Sequence, residues 1–450
     1  MRELRTLGIL ASILVTITIF GSCSSSPDPY SVQGTVLDPF GNGIEGIIIN
    51  TEQGSSITDE NGFWKIEDLE GYTWVTATDT NYSFFPDTTL VAGNKIGLNF
   101  RAEYELSTLE LSIMSWLEDQ ELDNGLLESA EDGNVVSLYD NALSVMAFLL
   151  DGQVERAEAI LDFFDQRVWI EFDQGPGGFS QFRDRNGTPS WHRWMGDNAW
   201  LLIAINNYHD YTGTQKYAQL ASAIEAWLIG LQASDGGLWA GYDADGNLLQ
   251  YKVTEGMIDA FSAVRGYNSF HAELLSYLEE ARWDGTSLMS WPENPPYAYA
   301  VDNFSWGYCA FPDFPEATLD DADRFLTTQT ATVTGNTITG YDIDEDLDAV
   351  FMEGTAQMAL VWRIAGDVGL ADYYLDEMKK AMISSSTNEQ NKGFPYASNM
   401  GTAYGSDPYW EGADNEMAVS PGIWYLFAKR GFNPFAVERN KPIPNEDRFW

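Results

Sequence analysis

Histidine and cysteine are nearly missing from this chain of 450 residues. It has three histidines, His192, His209 and His271, and two cysteines, Cys23 and Cys309. The histidines form no H-x-x-x-H pair, which argues against a zinc hydrolase, and two thiols cannot build a thiolate-rich metal site. Basic residues are scarce as well: 24 Lys and Arg stand against 68 Asp and Glu, a formal net charge of −44. Nucleic-acid binding depends on Lys and Arg that neutralise phosphates, so nucleic acid is not an expected partner, and polyanionic sugars are disfavoured on the same ground. There is no Gly-rich phosphate loop, no serine nucleophile elbow and no kinase signature. Aromatic residues are plentiful, with 16 Trp, 22 Tyr and 24 Phe. That is too many for a disordered chain, and it suits both a core and stacking on sugar rings.

The N-terminus has the layout of a secretory signal. Arg2 and Arg5 precede an uncharged, largely apolar run of fourteen residues, Leu7 to Phe20, and small residues follow at Gly21-Ser22-Cys23. The run is short for a membrane span, which needs about twenty apolar residues. The small-small-Cys ending resembles a lipobox, in which the cysteine is acylated and becomes the new N-terminus. Residues 1–22 are then a lipoprotein signal peptide and Ser24-Ser25-Ser26-Pro27-Asp28-Pro29 completes a tether over 23–29. The expected partner is a lipid bilayer, held through Cys23, and the expected location is the bacterial cell envelope outside the cytoplasm. A lipidated Cys23 leaves Cys309 without an intramolecular disulfide partner, and a chain of this size buries enough surface to fold without one.

Residues 30–101 read as short strands. Apolar residues alternate over Ser31–Leu37, Gly46–Thr51, Phe63–Ile66, Thr73–Ala77 and Ile96–Arg101, with turn clusters at Asp38–Gly43 and Asp59–Gly62. Strands at that spacing predict a small all-β sandwich. Val32-x-Gly34-x-Val36-x-Asp38, Gly41-x-Gly43-Ile44-x-Gly46 and Thr58-Asp59-x-x-Gly62-Phe63-Trp64 resemble the carboxypeptidase regulatory-like domain. The resemblance implies an accessory role for this segment.

From residue 102 to 450 the apolar period changes to 3.6. Twelve helical segments are expected, beginning near Ser107, Leu138, Gln153, Met195, Thr214, Thr254, Ser269, Asp302, Glu316, Glu353, Leu370 and Ser420. Every second one opens on a polar or small cluster and then turns wholly apolar, the pattern of a buried helix. Counted from Asp140, Asp197, Glu255, Asp302, Glu353 and Ser420, the openings recur at 57, 58, 47, 51 and 67 residues. Six buried helices alternating with six amphipathic ones predict a large all-α (α/α)6 toroid, with the six inner N-termini and the long loops before them gathered at one face. Gly196-Asp197-Asn198-Ala199-Trp200, Thr254-Glu255-x-x-Ile258-Asp259-Ala260, Glu353-Gly354-Thr355-Ala356-Gln357 and Gly431-Phe432-Asn433-Pro434-Phe435 resemble motifs of the six-hairpin glycosidase superfamily. That resemblance concerns the fold and assigns no acid or base.

An acidic residue at a helix opening has a plain structural use, since the exposed N–H groups and the macrodipole favour it. Acids at equivalent openings of one face have a second use, because glycosidic cleavage needs two carboxyl groups. Glu255, Asp197 and Glu353 are the expected catalytic acids, with Glu255 as general acid and Asp197 or Glu353 as base. Asp259, one turn after Glu255, and Asp140 are expected to bind substrate. So are Asn198, the loop residues Trp191, His192 and Trp194, and Trp239. Trp191 and Trp194 serve equally well as anchors of their loop. Tyr242, Tyr251, Trp291, Tyr297, Tyr299 and Trp410 sit in comparable loops. No cofactor is called for. Asp243-Ala244-Asp245-Gly246-Asn247 and Tyr341-Asp342-Ile343-Asp344-Glu345-Asp346 carry oxygen ligands at the alternate positions calcium uses, but neither completes an EF-hand loop. The expectation is a surface-anchored lipoprotein whose partner is a glycan, most simply a glycoside hydrolase cleaving a neutral or basic glycan. The alternative is a glycan-binding lipoprotein that keeps the cleft without the chemistry.

Overall fold

The structure is a computed structural model that describes residues 28–450 except Asp132 and Trp191. The signal peptide, Cys23 and Trp191 therefore lie outside the described residues. The chain divides into two compact units, one comprising residues up to 37 with 43–79 and 84–101, the other comprising 38–42, 80–83 and 102–450.

The first unit is built of strands β1 Tyr30–Leu37, β2 Ile48–Asn50, β3 Ser55–Ile57, β4 Phe63–Leu69, β5 Thr73–Thr78, β6 Tyr82–Phe85, β7 Thr88–Val91, β8 Lys95–Ile96 and β9 Phe100–Tyr104, with residues 82–83 of β6 and 102–104 of β9 counted in the second. They form two sheets, ordered β4-β1-β9-β6 with β8 beside β1, and β3-β2-β5-β7. Alternation along β1 buries Val32 and Val36, which join Ile49, Trp64, Val75 and Phe100 in the core. A strand exposes successive side chains to opposite faces, so one apolar residue in two is enough to fill it.

The second unit is helical. Six inner helices, α2 Leu138–Leu150, α4 Met195–Thr212, α6 Thr254–Ala263, α8 Val301–Ala310, α10 Met352–Ile364 and α12 Val419–Arg430, touch in that order, and α12 returns to touch α2. The ring is closed. Outer helices α1 Thr108–Asp119, α3 Val154–Asp165, α5 Ala218–Gly230, α7 Ser269–Ala281, α9 Ala317–Asp321 and α11 Val368–Lys379 alternate with them along the chain. The inner helices are apolar on every side because neighbours and outer helices leave no side for water; every residue of α2 but Tyr139 is buried.

The fifth hairpin departs from the expected pattern. Only five residues of α9 are helical, and a two-stranded hairpin, Leu326–Thr330 with Thr337–Tyr341, occupies the rest of the connection to α10. The segment Leu326-Thr327-Thr328-Gln329-Thr330 is rich in β-branched residues, which lose rotamer freedom in a helix and suit a strand.

Candidate functional site

Each inner helix delivers a residue of its first turn to one cavity of about 630 Å³. Asp140 comes from α2, Asp197 from α4, Glu255 from α6, Asp302 from α8, Glu353 from α10 and Ser420 from α12, and Asp259 adds a sixth carboxyl one turn into α6. Two glycines let α4 and α6 meet at the opening. A Cβ on Gly256 would stand 2.6 Å from the Met195 methyl and 3.2 Å from the Gly196 backbone nitrogen, and one on Gly196 would stand 3.1 Å from Oδ2 of Asp259. Close backbone approach is what a residue without a side chain permits.

The hydrogen bonds of these acids differ. Glu353 is the best supplied: Tyr139 Oη donates to its Oε1 at 2.5 Å and Gln357 Nε2 to the same oxygen at 3.1 Å. Tyr139 is fixed in turn by Trp424 Nε1 at 2.7 Å, and Gln357 by Ser305 at 2.9 Å. Glu255 accepts from Ser290 Oγ at 2.6 Å on Oε1, while its Oε2 has no protein hydrogen bond among the described residues. Asp197 accepts from Gln181 Nε2 at 3.3 Å. Oδ1 of both Asp259 and Asp302 is also unpartnered among the described residues.

Burial raises the proton affinity of all six, because a charged carboxylate loses its hydration there. Asp140 is pushed up to about 8, with Glu353 and Asp197 adding to the rise. Asp197 is pushed up to about 7. Glu353 is raised only to about 6, since Ser420, Tyr139, Gln357 and Trp424 oppose its burial. Glu255 is raised by burial against the pull of Ser290. Asp259 and Asp302 are driven well above the carboxylate range by burial; Glu255 is the largest charge acting on Asp259, and Glu353 on Asp302. The six form one electrostatic circuit: Asp140 feels Glu353 and Asp197, Asp302 feels Glu353 and Glu255, and Asp259 feels Glu255, Asp302 and Asp197. No Lys, Arg or His lines the cavity among the described residues. Glu353, held to about 6, ionises more readily than Asp197 or Asp140, while burial favours the protonated, hydrogen-bond-donating forms of Asp259 and Asp302.

Aromatic rings make much of the remaining wall. Trp200 and Trp306, one turn deeper than Asp197 and Asp302, meet edge-on at 5.4 Å. Trp194 and Trp410 also line the cavity; Trp410 packs on Tyr396 at 4.4 Å and stays 43% exposed. The loop that contributes Gln181 and Phe182 is held by a buried pair, with Arg183 donating to both oxygens of Glu171 at 2.8 and 2.5 Å. Arg193 ties the same loop by donating to the carbonyls of Glu171, Gly177 and Gly178.

The expected catalytic acids Glu255, Asp197 and Glu353 thus share one cavity with Asp259, Asp140 and Trp194. Three expected binding residues do not line it. Asn198 is fully buried and spends its amide on the loop: Oδ1 accepts from Phe179 N at 2.8 Å, and Nδ2 donates to the Phe179 and Trp194 carbonyls. Trp239 packs against the core under the Lys252 ammonium, 4.7 Å from its ring. His192 stacks on Trp194 at 6.4 Å. Of the other loop aromatics, Tyr251 stacks on Trp291 at 4.9 Å and Tyr297 meets Tyr404 at 4.9 Å, so these rings largely cover one another. Asp302 and Tyr139 were absent from the expected site. Asp302 stood in the repeat of openings, the signal that would have found it. Tyr139 carried none, because its value lies in a partner 214 residues away. At Asp243 the carboxylate is consumed by its own turn, accepting from the Asp245 and Asn247 backbones and the Asn247 side chain. Cys309 is buried, and burial pushes its thiol up to about 12.

No family model matches the chain, and no curated protein does. Solved structures do. A glycosidase variant in complex with glucose superimposes with a TM-score of 0.51 at 12% identity, over 72% of this chain and 96% of its own. A sugar epimerase from a ruminal bacterium gives 0.52 at 12% identity, over 72% and 97%. An α-amylase from Clostridium perfringens gives 0.52 at 12% identity over the same shares. At such identities the likeness is one of fold.

Proposed function

We propose that the helical unit is an (α/α)6 toroid of the six-hairpin glycosidase type and that it hydrolyses a neutral or basic glycan. The observation that carries this reading is the cavity itself, in which six carboxyl groups from the inner helices, with divergent proton affinities, face four tryptophans. Glu255 is the general acid: burial favours its protonated form, and its Oε2 has no competing hydrogen bond among the described residues. Glu353 is the base or nucleophile, because its donors favour the ionised form. Asp197, across the ring from Glu353, is the alternative base. Asp259 and Asp302, whose protonated forms burial favours, donate to sugar hydroxyls, and the indole faces stack on the ring. The fold is shared with a sugar epimerase, but the cavity wall holds no histidine among its described residues.

The first unit is proposed as the carboxypeptidase regulatory-like sandwich, an accessory domain. Residues 2–23 support a lipid anchor through Cys23. The purified protein, incubated with a panel of neutral, amino and acidic polysaccharides, is expected to release reducing sugar from a neutral or amino member. Calorimetric binding to one glycan with no product after long incubation would establish the binding-protein alternative instead.

A further inference from the structure

The loop from Asp342 to Asp348, between the Thr337–Tyr341 strand and α10, places aspartates at 342, 344, 346 and 348. One oxygen each of Asp342, Asp346 and Asp348 lies within 4.8 Å of the other two. That is about twice a calcium–oxygen bond of roughly 2.4 Å, the spread that one ion can bridge. Asp342 is fully buried and Asp344 is 6% exposed, yet no Lys, Arg or His pairs with any of the four among the described residues. Arg324, the nearby cation, is engaged with Asp321 and Glu345. Asp342 accepts from Ile343 N and Ala349 N, so its charge is hydrogen-bonded but not neutralised, and Asp346 and Asp348 beside it are more exposed.

A second observation points to a ligand. Tyr409 is 4% exposed and its hydroxyl makes no hydrogen bond among the described residues. It packs in a small cluster with Ala349, the residue after the loop, and its hydroxyl lies within electrostatic reach of all four aspartates, Asp342 and Asp348 foremost. A buried phenol that bonds to none of four neighbouring carboxylates is left with its hydrogen-bonding capacity unspent. A water held by a cation, donating to the phenol oxygen, supplies the missing bond.

We propose that this loop binds a calcium ion through Asp342, Asp346 and Asp348, with water completing the shell beside Tyr409. Oxygen-only ligands on a loop suit a hard cation rather than zinc or copper. The ion also has a structural task. Thr402 N donates to Asp348 at 3.1 Å, Thr402 Oγ1 to Asp346 at 2.6 Å and Gly405 N to Asp344 at 2.6 Å. Tyr404, held between them, donates toward Ser290 Oγ at 2.5 Å, and Ser290 donates to Glu255. Fixing the aspartates fixes the hairpin of strands Thr402–Tyr404 and Asp407–Pro408, whose Tyr404 reaches the cavity acid through Ser290. The Asp243 loop brings no such group of three carboxylates together among the described residues.

The test uses the full chain stripped by chelator. Terbium excited through the aromatic rings is expected to light up and saturate at one ion per chain, and calcium is expected to displace it. Calcium at a hundredfold excess over its Kd should raise Tm by about 3 °C or more. Asp346→Asn and Asp348→Asn should abolish both signals, while Asp243→Asn changes neither. The stripped variants should melt no lower than the stripped wild type, which shows that they fold. No calcium-dependent shift up to about 10 mM, above the weakest sites of this class, overturns the proposal. So does terbium binding that is unchanged in Asp346→Asn.

Discussion

Tyr139, on the first turn of α2, donates its hydroxyl proton to Glu353 on the first turn of α10 at 2.5 Å, and receives one from Trp424 on the helix between them. Burial pushes Glu353 upward, and this donor is one of those that hold it to about 6. If Glu353 acts ionised, kcat/KM rises through that pH. Tyr139→Phe removes a bond to the charged form, so the ascending limb should move to higher pH, with the larger loss on its acid side. A pH–rate profile reads this directly, and an unmoved limb would detach Tyr139 from the chemistry.

Glu255→Gln and Glu353→Gln are nearly isosteric and should leave the far-ultraviolet spectrum unchanged. Turnover should fall by about 10² to 10⁴ in each, the usual share of a general acid or base. Glycan binding should persist, because stacking on Trp194 and Trp410 needs neither proton. Full activity in Glu353→Gln with loss in Asp197→Asn would move the base to the opposite wall.

Stability should fall as pH rises from about 5 to 8. Asp140, Asp197, Glu353, Asp342 and Asp344 are raised to about 8, 7, 6, 7 and 6, above the usual carboxylate range. Each binds its proton more tightly folded than unfolded, so the folded state holds more protons across this window and rising pH draws the equilibrium toward the unfolded chain. The contribution is complete near pH 4 and is lost as pH passes each folded value. Calorimetry in chelator should show a lower Tm at pH 8 than at pH 5, and a flatter slope for Asp197→Asn. A Tm that climbs over this range would contradict the assignment.

Glu171→Ala strands the guanidinium of Arg183, which is 1% exposed, among Phe163, Phe164 and Phe179. Removing one partner of a buried pair costs about 3 to 5 kcal/mol. Denaturant unfolding measures that loss. Since the pair holds the loop bearing Gln181 and Phe182, KM should rise in any variant that still folds.

The anchor is tested by fractionation. Cys23→Ala is expected to shift the protein from the membrane to the soluble fraction; unchanged membrane recovery would remove the lipid from the account.

The sequence showed the ring and its acids together, because a buried helix leaves an apolar run and its opening leaves a polar one. Asp140, Asp197, Glu255, Asp302 and Glu353 were visible as a repeat before any of them had neighbours. The residues that tune them were not. Tyr139, Trp424 and Gln357 matter through contacts between helices, and a periodic reading shows the side that faces inward without showing what it meets there. Asn198 and Trp239 illustrate the converse. An amide after an acid and an indole in a loop read as binding groups, but the Phe179 backbone takes the Asn198 amide and the Lys252 ammonium lies over the Trp239 ring. The Leu326–Tyr341 hairpin carries little signal in the sequence, because its strands are short, Thr-rich and without an apolar alternation of the kind seen over residues 30–101.

Closure of the inner ring has a kinetic side. The bond from Trp424 to Tyr139 joins residues 285 positions apart. Contacts of such span are slow to form, since the intervening chain must be confined before they repay the loss. Five of the inner-helix contacts join helices consecutive in the ring, whereas the α12–α2 contact spans almost the whole unit, and the bond from Tyr139 to Glu353 spans 214 residues. The active constellation is then a late event of folding, and recovery of activity should lag recovery of helix after dilution from denaturant.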